Sequence, residues 1–372
     1  MSITSKAVWS SLMGCFLIAA SWGVFSEPVD QQVSQEYVVQ ASSAEQAAEL
    51  VRDVGGEVTH ELKIIKSVGA QLTPNQIRTI EKDRNVRLYQ DRTVKVASDA
   101  VPTYYPKIVG AERLHRESGI TGDGVTIAVI DTGMWNKSAL IDAPDGFRVL
   151  ALYDVHRYYP PGDDYDNDVN DASGHGSHVT SVMVSSEESK KGIYQGVAPY
   201  ADIVVVKAFD ANGMGTYADV IKGLNWVLNN KDRYHIRVVN LSFSAPPVSH
   251  YWDDPLNQAV MTLWQAGIVV VASAGNTGPD PMTIGVPGNV PYIITMGAMT
   301  DNYTPRDGGD DFLASFSAAG PTREGFVKPE IVAPGGHMLG WMPPHGVIAV
   351  EHPEFRHPTF ECYTMSGTSQ AS

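Results

Sequence analysis

Residues 125–133 read VTIAVIDTG, a nearly unbroken apolar run that stops at an acid, Asp131, and is followed at once by a threonine and a glycine. Such a run predicts a strand buried on both faces, as in the middle of a parallel sheet. Asp131 would then lie just beyond the carboxyl end of its strand, which is where functional residues of open parallel sheets are usually found. Runs of the same kind recur at 203–208, 238–241, 268–272 and 293–298.

Amphipathic segments separate these runs. In TYADVIKGLNWVLNN (216–230) and DPLNQAVMTLWQAG (254–267), apolar residues recur three and four positions apart, which is the spacing of one face of a helix. Strands that alternate with helices predict an α/β fold, in which a mostly parallel sheet is flanked by helices on both sides. The expected architecture therefore has three layers: helices, sheet and helices.

The segment 37–96 follows a different pattern. A capping box at 43–46 opens a helix that ends near Gly55, and Thr73-Pro74 opens a second helix. The order strand, helix, strand, strand, helix, strand predicts a small α+β, ferredoxin-like domain. Its predicted strands lie at 37–39, 57–65, 67–72 and 86–89, and a linker follows at about 95–105.

The N-terminal residues have the features of a secretory signal. Lys6 precedes an apolar stretch of small residues, 7–20. A membrane anchor is the alternative, but polar residues interrupt the stretch, and it is shorter than the ~20 residues that a span needs. We therefore expect export to the periplasm or the extracellular space, with no stable membrane insertion after cleavage of the signal.

Charge and cysteine content exclude several classes of protein. The chain of 372 residues has a formal net charge of -15, which argues against nucleic acid as a partner. Its two cysteines are Cys15 and Cys362, and removal of the signal would leave only Cys362. No intrachain disulfide framework is then available, and a buried, unreactive thiol is the favoured interpretation of Cys362.

Asp131 and His175 are the first candidates for catalysis. His175 lies in GHGSHVTSVMV (174–184), where glycines permit close approach of the backbone and the residues that follow look helical. Asp-Thr-Gly is also the signature of aspartic proteases, but their chemistry needs two carboxylates, and no second Asp-Thr-Gly occurs here. His175 and His178 together would suit zinc, although no third ligand follows at an obvious spacing.

Asn276 and Ser369 complete the set of candidates. Asn276 ends the buried run VVVASAGN (269–276), where an asparagine is either a turn former or an amide donor aimed into a cleft. Ser369 stands in SGTSQAS (366–372), and a helix beginning there would direct backbone N–H groups at a developing negative charge. A plain helix cap is the alternative interpretation of this serine.

Taken together, these motifs resemble the subtilisin-like serine proteases (subtilases, the peptidase S8 family), and the AprX-like members in particular. The resemblance covers about residues 100–372 and has the order Asp, His, Ser of that family. The motifs that carry it are VIDTG, GHGSHVT, VVVASAGN, PGNVPYIITMGA, FSAAGPT, KPEIVAPGG and SGTSQAS.

The resemblance implies a serine endopeptidase, a hydrolase that cleaves peptide bonds through an acyl-enzyme. Ser369 would be the nucleophile, and His175 would take its proton and return it to the leaving amine. Asp131 would orient His175. Asn276 and the backbone N–H of Ser369 would hold the oxyanion.

It also implies a secreted zymogen with three parts: a signal peptide (1–26), an inhibitor-like propeptide (27–97) and the peptidase domain (98–372). The propeptide would assist folding and then be cut off. The implied partners are protein or peptide substrates and the chain's own propeptide. No cofactor is required.

Substrate binding is expected at Ser242, Phe243 and Ser244, which match a segment that pairs with substrate backbone as an added strand. Subtilases usually have leucine and glycine where Phe243 and Ser244 stand, so this chain has added bulk there. Gly285 matches a pocket position at which glycine leaves depth for a large side chain. The resemblance therefore implies an apolar or aromatic substrate residue before the cut.

The acidic run PPGDDYDNDVNDASG (160–174) predicts a calcium site at Asp164, Asp166 and Asp168. Calcium prefers several oxygen ligands at close spacing, and it is common in subtilases. The run lacks the glycine of an EF-hand loop, and a solvated charge run is the alternative.

Only Gln370, Ala371 and Ser372 follow Ser369, whereas in subtilases the nucleophile starts a long buried helix. An isolated helix needs roughly 12–15 residues to be marginal in water. We therefore expect the peptidase domain to be incomplete at its C-terminus and a chain that ends at Ser372 to have little activity. Two other functions stay open: a catalytically silent subtilisin-like module that binds peptides, and an inhibitor role for the segment 37–96.

Overall fold

The computed structural model describes residues 34–90, 104–159, 170–189, 192–302, 304 and 308–372. These residues form two compact units, one within 34–90 and the other from residue 104 onward. The signal peptide predicted at 1–26 lies outside them. Among the described helices, none combines the length and the apolar character that a membrane span requires.

The N-terminal unit has the predicted order of elements. They are Gln35–Gln40 (β1), Ala44–Asp53 (α1), Glu57–Leu62 (β2), Ser67–Leu72 (β3), Pro74–Ile80 (α2) and Arg87–Gln90 (β4). The strands form an antiparallel sheet in the order β2-β3-β1-β4. Its core lies between the sheet and the helices and is made by Val39, Ala47, Ala48, Val51, Val68, Ala70, Leu72 and Ile80.

Two local predictions for this unit need correction. Ser43 caps α1 by accepting from the backbone N–H of Gln46, but the Gln46 side chain reaches back to the backbone N–H of Ser42, so the predicted capping box is only half formed. The strand predicted at 57–65 ends at Leu62, because Lys63–Ile65 form a 3-10 turn. The box at Thr73 is complete, since Thr73 and Gln76 each bond the other's backbone N–H.

The larger unit contains twelve strands and eight helices within the described residues. The strands are Thr126–Asp131 (β5), Asp142–Ala143 (β6), Gly146–Phe147 (β7), Val149–Asp154 (β8), Asp202–Lys207 (β9), Ile236–Leu241 (β10), Val269–Ser273 (β11), Ile294–Thr300 (β12), Phe312–Leu313 (β13), Ile331–Pro334 (β14), Met338–Gly340 (β15) and Tyr363–Met365 (β16). The helices are Tyr105–Ile108 (α3), Ala111–Ser118 (α4), Ser138–Ile141 (α5), His175–Val184 (α6), Tyr217–Asn230 (α7), Pro255–Gln265 (α8), Val347–Glu351 (α9) and Thr368–Ala371 (α10).

The central sheet has the strand order β13-β12-β11-β10-β5-β9-β8, and β14 also pairs with β12. Every pairing in it is parallel except that of β12 with β13. The mostly parallel sheet expected from the sequence is therefore confirmed.

The strand β5 is buried on both faces, as its composition predicts. Ala128 and Ile130 belong to one hydrophobic core, which includes apolar residues of α7 and α8. Ile127 and Val129 belong to a second core on the opposite face, which includes residues of α5 and α6. Helices thus cover the sheet on both sides.

The order of strands reverses beside β5. From β5 the chain goes to β8 and then to β9, and it crosses back to β10 and continues outward through β11 and β12. A crevice therefore opens where β5 and β10 end, at the switch point of the sheet. Asp131 is the last residue of β5, and Ser242 directly follows β10.

Candidate active site

A cavity of about 530 Å³ opens at the carboxyl ends of the central strands. Its wall is built from segments that are far apart in the sequence. The predicted residues that line it are Asp131, His175, Ser242, Phe243, Ser244, Asn276 and Ser369. The fold thus brings together all four predicted catalytic residues and three of the four residues predicted to bind substrate.

Asp131 and His175 form a hydrogen-bonded pair. Nδ1 of His175 lies 2.8 Å from Oδ1 of Asp131, and that carboxylate is only 2% exposed. The backbone N–H of Thr132 donates to the same oxygen at 2.8 Å. A buried carboxylate held in this way favours the imidazole tautomer with its proton on Nδ1, which leaves Nε2 free to accept a proton.

The pKa of His175 reflects a balance of opposing influences. Burial has the largest single influence and lowers this pKa. The charge of Asp131, its hydrogen bond and the charge of Asp171 act in the opposite direction, and the net result is a pKa above the usual value for histidine. The imidazolium form is therefore stabilised, which is what a base that must hold a proton during a reaction requires.

Glycines allow the first turn of α6 to lie directly against the end of β5. A Cβ on Gly176 would come within 2.3 Å of the carbonyl oxygen of Gly133 and within 3.0 Å of Asp131 Oδ1. Gly174, just before the helix, has a φ of 103°, a conformation that other residues rarely adopt. This close packing is what brings His175 within hydrogen-bonding distance of Asp131.

A second buried carboxylate, Asp171, holds the N-terminus of α6. Its Oδ1 accepts from the hydroxyl of Thr132 at 2.8 Å and from the backbone N–H of Gly174 at 2.8 Å. Its Oδ2 accepts from the backbone N–H and the hydroxyl of Ser177, at 2.8 and 2.6 Å. Asp171 therefore links Thr132, the residue after Asp131, to Gly174 and Ser177, which precede and follow His175 in the chain. No pattern in the sequence predicts this role of Asp171.

Ser369 lies in the first turn of α10, next to Ser242. Its hydroxyl donates to the carbonyl oxygen of Ser242 at 2.8 Å, and the hydroxyl of Ser242 donates to the carbonyl oxygen of Ser369 at 3.0 Å. In this rotamer the Ser369 hydroxyl is engaged with backbone and not with His175. To pass its proton to the imidazole, this hydroxyl would have to leave the carbonyl oxygen of Ser242.

Asn276 is oriented by Thr368, a residue that the sequence analysis did not single out. Its Oδ1 accepts from the backbone N–H and from the hydroxyl of Thr368, each at 2.9 Å. Because a backbone N–H can only donate, the oxygen side of the amide must face Thr368. The NH₂ group of Asn276 is left on the other side, available to a ligand in the cavity.

The predicted substrate-binding residues lie in two places. Phe243 packs its ring against Phe209, with ring centroids 5.0 Å apart, and both rings line the cavity. Gly285 does not line the cavity. It packs behind Ser244, so closely that a Cβ on Gly285 would come within 2.9 Å of Ser244 Cβ.

Within the described part of the chain, the backbone N–H and C=O of Ser244 have no hydrogen-bond partner. Ala245, the next residue, bonds Val286 in both directions.

Two other residues that the sequence singles out, His178 and Cys362, are buried in the protein. His178 is fully buried, and its Nε2 lies within 3.2 Å of the carbonyl oxygens of Met338 and Tyr363. Cys362 is buried as predicted, and burial raises the pKa of its thiol to about 12. No cluster of three or more His, Cys, Asp or Glu able to hold a metal occurs among the residues that the structure describes. The calcium ligands predicted at Asp164, Asp166 and Asp168 lie outside those residues.

Comparisons with known proteins agree on one family. Residues 122–372 match the model of the Subtilase family, Peptidase_S8. The chain is 36% identical to serine protease AprX of Bacillus subtilis (strain 168) over 316 residues, which cover 83% of this chain and 67% of that protein. It is 27% identical to subtilisin E of the same strain over 352 residues, 91% of this chain and 82% of the relative.

Solved structures give the same result. The fold is similar to that of a structure titled S41 psychrophilic protease, with a TM-score of 0.55, 25% identity, and coverage of 75% of this chain and 82% of the other. A cold-adapted subtilisin-like serine proteinase has a TM-score of 0.50 and 26% identity, with coverage of 74% and 81%.

Proposed function

Since this chain belongs to the subtilases, peptidase family S8, and is a serine endopeptidase, we propose that it cleaves peptide bonds with Ser369, His175, Asp131 and Asn276. The observation that carries the proposal is that one cavity is lined by all four side chains, with Asp131 already bonded to His175. A serine, an imidazole and an oriented carboxylate are the groups that acyl transfer by a serine nucleophile needs.

In the proposed reaction, the hydroxyl of Ser369 leaves Ser242 and turns to His175. Its oxygen attacks the scissile carbonyl carbon while Nε2 of His175 takes the proton. The NH₂ group of Asn276 and the backbone N–H of Ser369 stabilise the negative oxygen of the tetrahedral intermediate. The intermediate collapses to an acyl-enzyme, and His175 gives its proton to the departing amine. Water, deprotonated by His175, then hydrolyses the ester and restores Ser369.

We propose that substrate backbone pairs with Ser242–Ser244. The free backbone groups of Ser244 support this mode, because an extended peptide can bond to them as an added strand. Phe209 and Phe243 present apolar surface in the same cavity. We therefore expect an apolar or aromatic residue before the cut, and profiling with a peptide library tests this. A preference for lysine or aspartate at that position would refute it.

We also propose export and synthesis as a zymogen. The support for export is the leader-like sequence at 1–26, and the support for a propeptide is the separate compact unit within 34–90. The reaction needs no organic cofactor, and calcium binding by the acidic run stays a prediction.

Labelling with a fluorophosphonate tests the catalytic assignment directly. The protein should gain one adduct, located at Ser369 by peptide mass analysis, and the Ser369→Ala variant should gain none. Efficient labelling of a chain that ends at Ser372 would overturn the expectation that such a chain has little activity. The Ser366→Ala variant is the matched control, since Ser366 is an exposed serine in the same segment and its hydroxyl accepts from the backbone N–H of His337. Labelling elsewhere, or no labelling of a folded protein that still binds peptides, would favour the silent peptide-binding module.

A further inference from the structure

The helix α9 lies against the segment that carries His175. The backbone N–H of Val347 donates to the carbonyl oxygen of Ala172 at 2.9 Å, and that of Ile348 donates to Ser173 at 3.1 Å. Gly346 packs so closely there that a Cβ would come within 2.8 Å of the Ser173 carbonyl oxygen. The position of α9 is therefore fixed by main-chain contacts within a few residues of the proposed base.

One side of α9 forms part of the cavity wall. Val347, Ile348, Glu351 and His352 line the same cavity as His175 and Ser369. A substrate in the cavity would therefore meet two apolar side chains and one acid on this wall. The sequence does not predict this wall, because α9 lies in an irregular stretch far along the chain from His175.

Glu351 differs from the other charged groups at the cavity. Its side chain is exposed, and within the described residues its carboxylate has no ion pair or hydrogen bond. Asp131 is buried and bonded to His175, whereas His352 lies 3.0 Å from Glu354 and stacks on Phe355. No lysine or arginine is among the described residues that line the cavity. Glu351 is therefore an acidic group on the wall with no basic partner among the described residues.

We propose that Glu351 is a specificity-determining residue that selects a lysine or arginine side chain of the substrate next to the scissile bond. This inference rests on the proposed function. A negative charge on the wall of a cleft attracts a cationic side chain and repels an acidic one, so Glu351 would favour basic substrates and disfavour acidic ones. The long alkyl stems of lysine and arginine can pack on Val347 and Ile348 while the charge reaches Glu351.

This subsite is separate from the pocket expected for the residue before the cut. The wall made by α9 is anchored to Ala172 and Ser173, on the side of β5 and α6. Ser244 follows β10 and packs against Gly275 and Gly285, next to β11. The charge preference should therefore fall at a neighbouring substrate position, and the residue before the cut should stay apolar or aromatic.

The test uses fluorogenic peptides in which the residue before the cut is fixed as phenylalanine and each neighbouring position carries lysine, glutamine or glutamate in turn. With the intact protein, we expect kcat/KM to be about two- to fivefold higher for lysine than for glutamine at one position, with glutamate the poorest. In the Glu351→Gln variant the ratio of lysine to glutamine should fall to about one, and in Glu351→Lys the order should invert. Raising the salt concentration should reduce the wild-type ratio, because salt screens exposed charges.

Glu354→Gln is the matched control. Glu354 is an exposed acid three positions further on, it pairs with His352, and it does not line the cavity, so the lysine preference should persist in this variant. Melting temperatures of all variants show whether they are folded. A wild-type profile without a lysine preference, or one that is unchanged in Glu351→Gln, would overturn the proposal for Glu351 alone. Absence of any Ser369-dependent cleavage by the wild type would overturn the proposed function itself.

Discussion

At the scale of single residues, Asp131 and Asn276 are each held by a partner that takes no direct part in the proposed chemistry. Thr132 bonds the carboxylate of Asp131, and Thr368 orients the amide of Asn276. Such partners preorganise the site, so the reacting groups need little rearrangement when charge develops. The arrangement makes specific predictions about single substitutions.

Changing Asn276 to alanine should lower turnover while substrate affinity stays nearly the same. The reason is that the Asn276 amide would donate a hydrogen bond to the substrate's carbonyl oxygen only after that oxygen becomes negative in the tetrahedral intermediate. The expected loss in kcat is on the order of 100- to 1000-fold, a magnitude that comes from the corresponding donor in subtilisin itself. Steady-state kinetics measure it. An equal loss in kcat and in affinity would argue against the oxyanion role.

Changing Asp171 to asparagine should shift the acidic limb of the pH–rate profile to lower pH. Asp171 helps to raise the pKa of His175, and activity requires the neutral imidazole, so activity rises as pH passes this pKa. Removing the negative charge lowers the pKa, and the rise therefore begins at lower pH. We also expect kcat to fall by about 10- to 100-fold, because α6 loses the anchor on both sides of His175.

The control for this experiment is Asp232→Asn, which removes a carboxylate that is 99% exposed at its side chain. Exposed charges are well screened by solvent and salt, so the profile should not move. If Asp171→Asn lowers stability but leaves the acidic limb in place, Asp171 has only a structural role.

At the scale of elements, α6 is held at two points of its length. Asp171 and Thr132 bind its first turn, and His178, one turn further, reaches the carbonyl oxygens of Met338 in β15 and Tyr363 in β16. Burial lowers the pKa of His178 to about 4, so the folded protein keeps this imidazole neutral at physiological pH. The same residue makes stability depend on pH.

His178 should make the protein less stable between about pH 6.5 and pH 4. In this window the unfolded chain binds a proton at His178 and the folded chain does not, so protonation favours unfolding. The contribution is fully present above the unfolded pKa and declines as pH falls, with a total on the order of 3 kcal/mol. Urea unfolding at pH 7 and pH 5 measures the part of this loss that falls above pH 5, on the order of 2 kcal/mol. His178→Gln should be less stable at pH 7 but should lose less stability on acidification.

His345→Gln is the comparison variant, because His345 is exposed and makes no bond between α6 and the strands. It should retain the wild-type dependence of unfolding free energy on pH. A His178→Gln variant with an unchanged dependence would show that the acid sensitivity arises from other groups.

At the scale of the whole molecule, the chain combines a peptidase unit with a small separate unit within 34–90. If the small unit acts as an inhibitor, the purified segment 27–97 should inhibit peptide cleavage by a subtilisin, competitively with substrate. Replacing the fully buried Val51 by aspartate should abolish inhibition, because it places a charge in the small core. A folded segment that leaves cleavage unchanged would contradict the propeptide assignment.

Much of the fold was predictable from local patterns, and the main omission has a physical reason. The strands β5, β9, β10, β11 and β12 lie within a few residues of the predicted apolar runs, because strands buried on both faces are apolar throughout. The strand β8 escaped prediction. It lies at the edge of the sheet, where one face is partly exposed. The residues on that face include Leu150 and Leu152, which are apolar, so the strand shows no alternation of polar and apolar residues that would predict it.

The sequence by itself determined the order of elements in the small unit, five strands of the central sheet with the helices α7 and α8, the motifs around Asp131, His175, Asn276 and Ser369, and the family to which these motifs belong. These depend on residue types and on spacings of a few positions, which a chain displays before it folds. Only the tertiary structure decided that Asp171 anchors α6, that Thr368 orients Asn276, and that Glu351 lines the cavity. Those contacts join residues that meet only because of how strands pair and helices pack, and local spacing carries no information about them.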